Sequence, residues 1–473
     1  MSVVDHDDAS AEATTVSPPL RGEDLERPFA RSGPRREWLG TESEKFGVLR
    51  PNATPVSYDG RTCGIVQIFD GLMARGDWAP YREREGGPVV ALSKVGGSTV
   101  ISLEPGAQLE LSGAPVETVH DVEAELAEHL ADIAPVSETC GIDWLAVGYH
   151  PFARPEQLPW VPKERYEIMR AYFPRVGTRG LDMMRRTATV QVNLDYHDEE
   201  DAMRKLRVAL KLSPIATAIF ANSPFAEGRA HGWRSERAHV WLDTDRDRAG
   251  LLEALMEPGR RYRDYVAWAL DVPMYFIKRG GRVVANTGQS FRDFRDRGYE
   301  GHRARYDDWL LHLNTLFPEV RLQKTLEVRS ADMQSVQHLA ALPAFWAGLM
   351  YDETSLAAAE ALVARWSPSA LVAARPLIAR EALNAELCGR PVRHWAERVM
   401  ALALEGLSRR GRRDEAGRDE RRHLEPLAAL VAAGRCPADD LLDGLDREQD
   451  PRAAILRRTR VDFDALPIRR DRV

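Results

Sequence analysis

The sequence predicts an α+β fold in which a curved antiparallel β-sheet lines a cleft, helices back it, and a helical region ends the chain. Three observations carry this. Four short segments alternate polar and apolar residues with period two, which sorts their side chains onto opposite faces of a strand. Other stretches repeat apolar residues at helical spacing. Residues 376–473 are rich in Ala, Leu and Arg and read as helix packed on a catalytic domain over residues 35–375.

Residues 1–34 mix Asp, Ser, Thr, Pro and Gly without periodicity and predict a mobile tail. Glu42-Ser43-Glu44-Lys45-Phe46 puts two glutamates on one strand face, about 6.7 Å apart along the strand. Ile101–Leu111 reads as strand, tight turn at Pro105-Gly106, strand, so Gln108 and Glu110 point the same way with Glu104 just before the turn. Val116, Val119, Val122, Leu126, Leu130 and Ile133 predict an amphipathic helix. Thr187–Asp195 alternates again and carries Gln191 and Asn193. A helix is expected from Glu199 to about Leu212, capped by Asp198 and ending before Pro214. In Leu326-Glu327-Val328-Arg329 a carboxylate and a guanidinium share one face. The mixed-charge run Arg409–His423 reads as a solvated helix face or loop.

Composition narrows the class. A chain of 473 residues with 44% hydrophobic and 29% charged residues can bury a large core. Its net charge of −7 offers no basic footprint for nucleic acid. No apolar run approaches the roughly 18 residues of a membrane span, so small molecules are the expected partners, with the protein a monomer or homodimer. The acidic start Met1–Asp8 fits neither a secretory signal nor an organelle presequence. Cys63, Cys140, Cys388 and Cys436 form no C-x-x-C pair, which argues against zinc clusters and a disulfide framework and points to a reducing cytoplasm.

One lone Glu-x-Glu is usually a wet sheet edge. Together the four segments offer Glu, Gln, Asn and Arg with little of the Lys and Thr of a merely wet surface. Several carboxylates on one face repel each other unless a cation sits among them. Oxygen donors without Cys suit Mg²⁺, or Mn²⁺. Such a set fits phosphoryl transfer from ATP, where carboxylates hold the ions and arginines steady the transferring group. Glu42, Glu44, Glu104, Glu110 and Glu327 are candidate metal ligands, with Gln191 as a neutral oxygen and Arg186 or Arg329 as the guanidinium. Gln191 and Asn193 are also candidate substrate contacts. The sequence holds no P-loop motif and no G-x-S-x-G elbow; Lys94-Val95-Gly96-Gly97-Ser98 reads as a turn between strands.

At these same segments the chain resembles the plant and proteobacterial type of glutamate–cysteine ligase. Leu39-Gly40-Thr41-Glu42-Ser43-Glu44-Lys45-Phe46 is similar to that family's I-G-T-E-x-E-K-F, and Leu103-Glu104-Pro105-Gly106-Ala107-Gln108-Leu109-Glu110-Leu111-Ser112-Gly113-Ala114-Pro115 to its L-E-P-G-G-Q-x-E-L-S-G-A-P. Arg186–Asp195, Ala221-Asn222-Ser223-Pro224-Phe225 and Ala341-Leu342-Pro343-Ala344-Phe345-Trp346 follow in the same order, and the resemblance runs from Leu39 to about Gly406. It implies a fold like the glutamine synthetase catalytic domain and ATP-dependent joining of glutamate to cysteine as the first step of glutathione synthesis. It puts metal ligands on Glu42, Glu44, Glu110 and Glu327, with Glu104 and Gln191 beside them. Arg237 would take the α-carboxylate of glutamate, or serve as a structural ion pair, and Arg329 the phosphates.

The chain departs from the pattern at Arg329-Ser330-Ala331-Asp332, where Ser replaces the family's usual Gly, and in the charged insertion near Arg412–Arg422. The regulatory half-cystines of plant members align with Glu123 and Ala340, so the resemblance implies no equivalent redox switch here. Other readings are a γ-glutamyl ligase with another amine acceptor and a non-catalytic nucleotide or amino-acid sensor.

Overall fold

The computed structural model describes residues 18–465, except 32, 34, 35, 61 and 62. Its centre is the eleven-residue strand β1 (Leu39–Leu49), buried from Thr41 to Val48. Thr54–Pro55 (β2), Trp78–Arg82 (β3), Val89–Lys94 (β4), Val100–Leu103 (β5), Leu109–Ser112 (β6), Ile142–Leu145 (β7), Val190–Leu194 (β8), Val320–Leu322 (β9) and Leu326–Val328 (β10) complete a ten-stranded sheet. The order is β9-β10-β8-β1-β6-β5-β4-β3, with each neighbouring pair antiparallel. The first half of β1 lies between β6 and β8, while its second half turns away to pair with β7 and β2. The expected α+β class and antiparallel sheet are found.

Alternation along β1 sets the layers. Glu42 and Glu44 face the cleft. Lys45 points the other way, where its Nζ lies 2.9 Å from His129 Nε2 on the helix behind. That helix is one of eight that matter here: α1 (Ile65–Met73), α2 (Val119–Cys140), α3 (Gly180–Arg186), α4 (Glu199–Ile219), α5 (Glu236–Trp241), α6 (Ala341–Met350), α7 (Pro368–Glu381) and α8 (Val392–Arg410). Helix α2 is the amphipathic helix read from the sequence. Thr118 caps it by accepting from the Asp121 amide at 3.1 Å, and Gly141 ends it in the left-handed conformation at φ 64°. Val116 lies ahead of it and bridges to Leu39.

Several expectations need correction. Helix α4 is capped by Asp198 as expected but runs on through Pro214 to Ile219. Proline removes one donor from the ladder. Leu210, Leu212, Ile215 and Ala218 are all buried, so packing on both sides of the break holds the helix together.

Residues 18–31 are not a loose tail. Phe29 is buried with its ring 5.6 Å from that of Tyr265, and Trp309 Nε1 donates to Leu25 O at 3.0 Å. Residues 1–17 lie outside the described residues. Cys63 and Cys140 form a disulfide with Cα atoms 5.4 Å apart, because the start of α1 packs against the end of α2; a separation of 77 residues hid this from the sequence.

The run from Arg409 to His423 is not a merely solvated face either. Glu420 is fully buried, accepts from the Val119 amide at 2.8 Å and pairs with Arg410, which also reaches Glu37 at 2.8 Å. Arg422 holds Glu123 on α2. Among the described residues, no helix is long and apolar enough to cross a membrane.

Helix α7 crosses residue 375, and the hydrophobic core continues from the sheet side through α6 into α8. The α6–α8 crossing needs glycine on both sides. A Cβ on Gly406 would meet Gly348 O at 1.9 Å, and one on Gly348 would meet Ala403 O at 2.2 Å. Gly406→Ala is therefore expected to cost about 3 kcal/mol in urea unfolding, against a change within about 0.5 kcal/mol for Gly97→Ala. Equal midpoints for the two variants would show that the helices can separate freely.

Candidate active site

The register of β1 builds the site. Glu44 stands opposite Glu110 on β6, Glu42 opposite Gln191 on β8, and Glu327 opposite Asn193. The β5–β6 turn is tightened by Ala107, at φ 65°, whose amide donates to Glu104 O at 2.9 Å. It delivers Glu104 to the same place. One carboxylate oxygen from each of Glu44, Glu104 and Glu110 lies within 4.8 Å of the others, and all three residues are buried.

Glu44 also accepts from the Thr189 amide at 3.0 Å, and Glu110 from Ser112 Oγ at 2.9 Å. Burial pushes the Glu42 carboxyl up to about 8, with Glu327 and Glu110 adding to the rise. Burial raises Glu44 to about 8 as well, with Glu104 and Glu110 contributing. Glu42 Oε2 and Gln191 Nε2 are buried without a protein partner.

A wall of guanidiniums faces these carboxylates. Glu327 is bracketed by Arg321, which donates from Nε at 2.9 Å and Nη2 at 2.6 Å, and by Arg329. Burial alone would raise the Glu327 carboxyl, but Arg321 and Arg329 hold it down at about 2. Arg329 also donates to Gln191 Oε1 at 2.7 Å, and Arg237 Nη2 donates to Arg329 O at 2.8 Å. Asn193 donates to Glu42 Oε1 at 3.3 Å and accepts from Thr325 Oγ1. Glu44, Glu104, Arg237, Arg329, Trp241 and Phe317 line one cleft.

Nine of the ten candidate residues thus share one sheet face or the wall beside it. Arg186 does not. At the end of α3 it lies 4.5 Å over the Tyr149 ring, with Asp182 at 3.4 Å.

Two participants, Arg321 and Lys163, escaped the sequence reading. Arg321 sits six residues before Glu327, an offset with no helical or strand signal until the β9–β10 hairpin pairs them directly. Lys163, whose Nζ donates to Leu103 O at 2.8 Å, comes from a loop far from the sheet in sequence. Gln108 shares its strand face with Glu110 but is spent on structure, accepting from the Gly106 amide at 2.8 Å and donating to Thr187 O at 2.9 Å.

The sequence profile of glutamate-cysteine ligase family 2 matches residues 38–457, which include every residue named in the site. The chain belongs to this family. Relatives in the family include the chloroplastic glutamate–cysteine ligase of Arabidopsis thaliana, 43% identical over 437 residues that cover 91% of this chain and 81% of the relative. Glutamate–cysteine ligase B of Oryza sativa subsp. japonica, also chloroplastic, is 43% identical over 438 residues, covering 91% and 85%. The glutamate–cysteine ligase of Francisella tularensis, solved in complex with AMP, shares the fold. Its TM-score is 0.54 at 11% identity, with 90% of this chain and 87% of that one covered. The chloroplastic relatives overturn the cytoplasmic assignment, which rested on cysteine spacing and an acidic start; the Cys63–Cys140 bond had already removed half of that ground.

Arg321→Leu leaves Glu327 with one guanidinium in a buried site and is expected to cost about 3 kcal/mol by chemical denaturation. The sign with pH follows from the depressed carboxyl. The contribution of Glu327 is complete above the ordinary 4.5 and is lost as pH falls through about 2. The variant should therefore begin acid unfolding at a higher pH than the wild type. An unchanged acid limb would mean that Arg329 alone holds the carboxylate.

Proposed function

We propose that this enzyme joins the γ-carboxylate of glutamate to the amine of cysteine, with ATP converted to ADP and phosphate. The product is γ-glutamylcysteine, the first intermediate of glutathione synthesis. The observation that carries this reading is the facing of three clustered carboxylates by Arg237 and Arg329 across one cleft, in a chain of this family. A carboxylate is a poor acyl donor until its oxygen is phosphorylated. In the first step a γ-carboxylate oxygen forms a bond to the γ-phosphorus and ADP leaves. In the second the amine nitrogen bonds to the acyl carbon, phosphate leaves with the original carboxylate oxygen, and the nitrogen gives up its extra proton to a carboxylate or to solvent.

The donor set fits a hard divalent cation. Glu44, Glu104 and Glu110 present only oxygen, and the neighbouring Glu42 adds an unpartnered Oε2. These residues would hold Mg²⁺ or Mn²⁺, which supplies charge neutralisation for the phosphates. Arg329 is the guanidinium set for the transferring phosphoryl group. Phosphates that draw Arg329 away from Glu327 would free Glu327 Oε1, which Arg329 now occupies, as a further oxygen donor. Arg237, on its capped helix, receives the α-carboxylate of glutamate and so orients the γ-carboxylate toward the metal side. Gln191 and Asn193 stand between the two sets and complete the donor subsite.

ADP release with glutamate fixed and the amine varied tests the reading. Cysteine is expected to stimulate turnover strongly, and Glu44→Gln to lower it by about 10³-fold. Preference for another amine would keep the chemistry and discard the glutathione role. Absence of turnover with every amine would defeat the ligase reading.

The raised carboxyls add a pH prediction. Glu42 and Glu44 keep protons up to about 8 in the metal-free protein, and a cation must displace them. The rise in melting midpoint on adding Mg²⁺ is expected to grow between pH 5.5 and 8.5. A rise of equal size at both ends of that range would place the ion elsewhere.

A further inference from the structure

Asp332 is buried in the loop after β10, three residues beyond Arg329. A buried carboxylate needs donors. Three come from two segments that meet at the start of α5. Asp332 Oδ2 accepts from the Asn222 amide at 2.8 Å and from Ser223 Oγ at 2.6 Å, while Oδ1 accepts from Ser235 Oγ at 2.8 Å.

Each serine hydroxyl has a single proton, and each gives it to Asp332. Their lone pairs are thereby turned toward the first turn of α5. Ser223 Oγ accepts from the Arg237 amide at 3.2 Å, and Ser235 Oγ, the N-cap, accepts from the Ala238 amide at 3.0 Å. One carboxylate thus sets both hydroxyl rotors, and both hydroxyls hold the backbone that carries Arg237.

The other end of the same loop is tied to the carboxylate cluster. Thr189 Oγ1 donates to Ala331 O at 2.6 Å, the Met333 amide donates to Ala188 O at 3.1 Å, and the Thr189 amide donates to Glu44. The space around Asp332 is closed, since a Cβ on Gly148 would lie 2.5 Å from its Cγ.

We infer that Asp332 is a positioning residue that sets the distance and angle between Arg237 and the carboxylate cluster, and so governs glutamate affinity without touching substrate. This rests on the reading of Arg237 as the residue that holds the glutamate α-carboxylate.

In Asp332→Asn one of the three donors faces an amide NH₂ instead of an oxygen, so one serine must rotate and release α5. The test compares glutamate KM, ATP KM, kcat and melting midpoint for Asp332→Asn, Ser223→Ala, Ser235→Ala and Ser235→Thr with the full-length enzyme. A rise of about tenfold in glutamate KM, with ATP KM within about twofold, is expected for the first three. Ser235→Thr keeps the hydroxyl and is expected to stay near wild type. Unchanged glutamate KM in a folded Asp332→Asn, or equal rises in both KM values, overturns the inference. If Asp332→Asn does not fold, the two serine-to-alanine variants decide by the same criterion. Arg237→Lys separates the two levels: unchanged glutamate KM there sinks the reading of Arg237. A raised KM there with an unaffected Asp332→Asn sinks only the role of Asp332.

Discussion

The structure depends on a crowding of buried negative charge that the sheet itself creates. Antiparallel pairing of β1 with β6 sets Glu44 against Glu110, and the β5–β6 turn adds Glu104. Water cannot relieve the repulsion because the whole stretch is buried. Relief has to come from protons, from guanidiniums or from a cation, and the neighbourhood is arranged to offer each. Burial and the neighbouring glutamates favour protonation of Glu42 and Glu44, while two guanidiniums clamp Glu327. A site held so far from its preferred charge state is poised to take up a cation and its phosphates.

The same face shows how one fold separates two tasks. Glu327 has its negative charge neutralised by Arg321 and Arg329 and stays ionised, whereas Glu42 and Glu44, only a strand away, resist ionisation. Identical side chains acquire different roles through the partners that pairing supplies. Behind the sheet, Lys45 and His129 sit in a dry layer on the opposite face of β1. That layer keeps α2 apposed to the strand.

Much of this was legible in the sequence because strand alternation is local. The Glu42/Glu44 face, the Pro105-Gly106 turn and the Glu327/Arg329 pair each need only a few consecutive residues to be read. The long motifs then fixed their common neighbourhood through family likeness. What escaped depends on distance along the chain. The pairing of Arg321 with Glu327 exists only once a hairpin forms, and that of Glu420 with the first turn of α2 spans three hundred positions. The Cys63–Cys140 bond was hidden for the same reason. Arg186 is close in sequence to Gln191, yet the bend between α3 and β8 turns its guanidinium toward Tyr149.

The central place of β1 has a consequence for how the protein is made. The strand that emerges from the ribosome early finds one neighbour at Leu109–Ser112 but must wait for Val190–Leu194 on its other side. The outer strand carrying Glu327 arrives later still. During that interval β1 is an edge with unpaired backbone groups, the kind of surface that recruits foreign strands. A nascent chain that ends before Arg321 therefore carries the acidic residues of β1 and β6 without the two guanidiniums, Arg321 and Arg329, that later clamp Glu327.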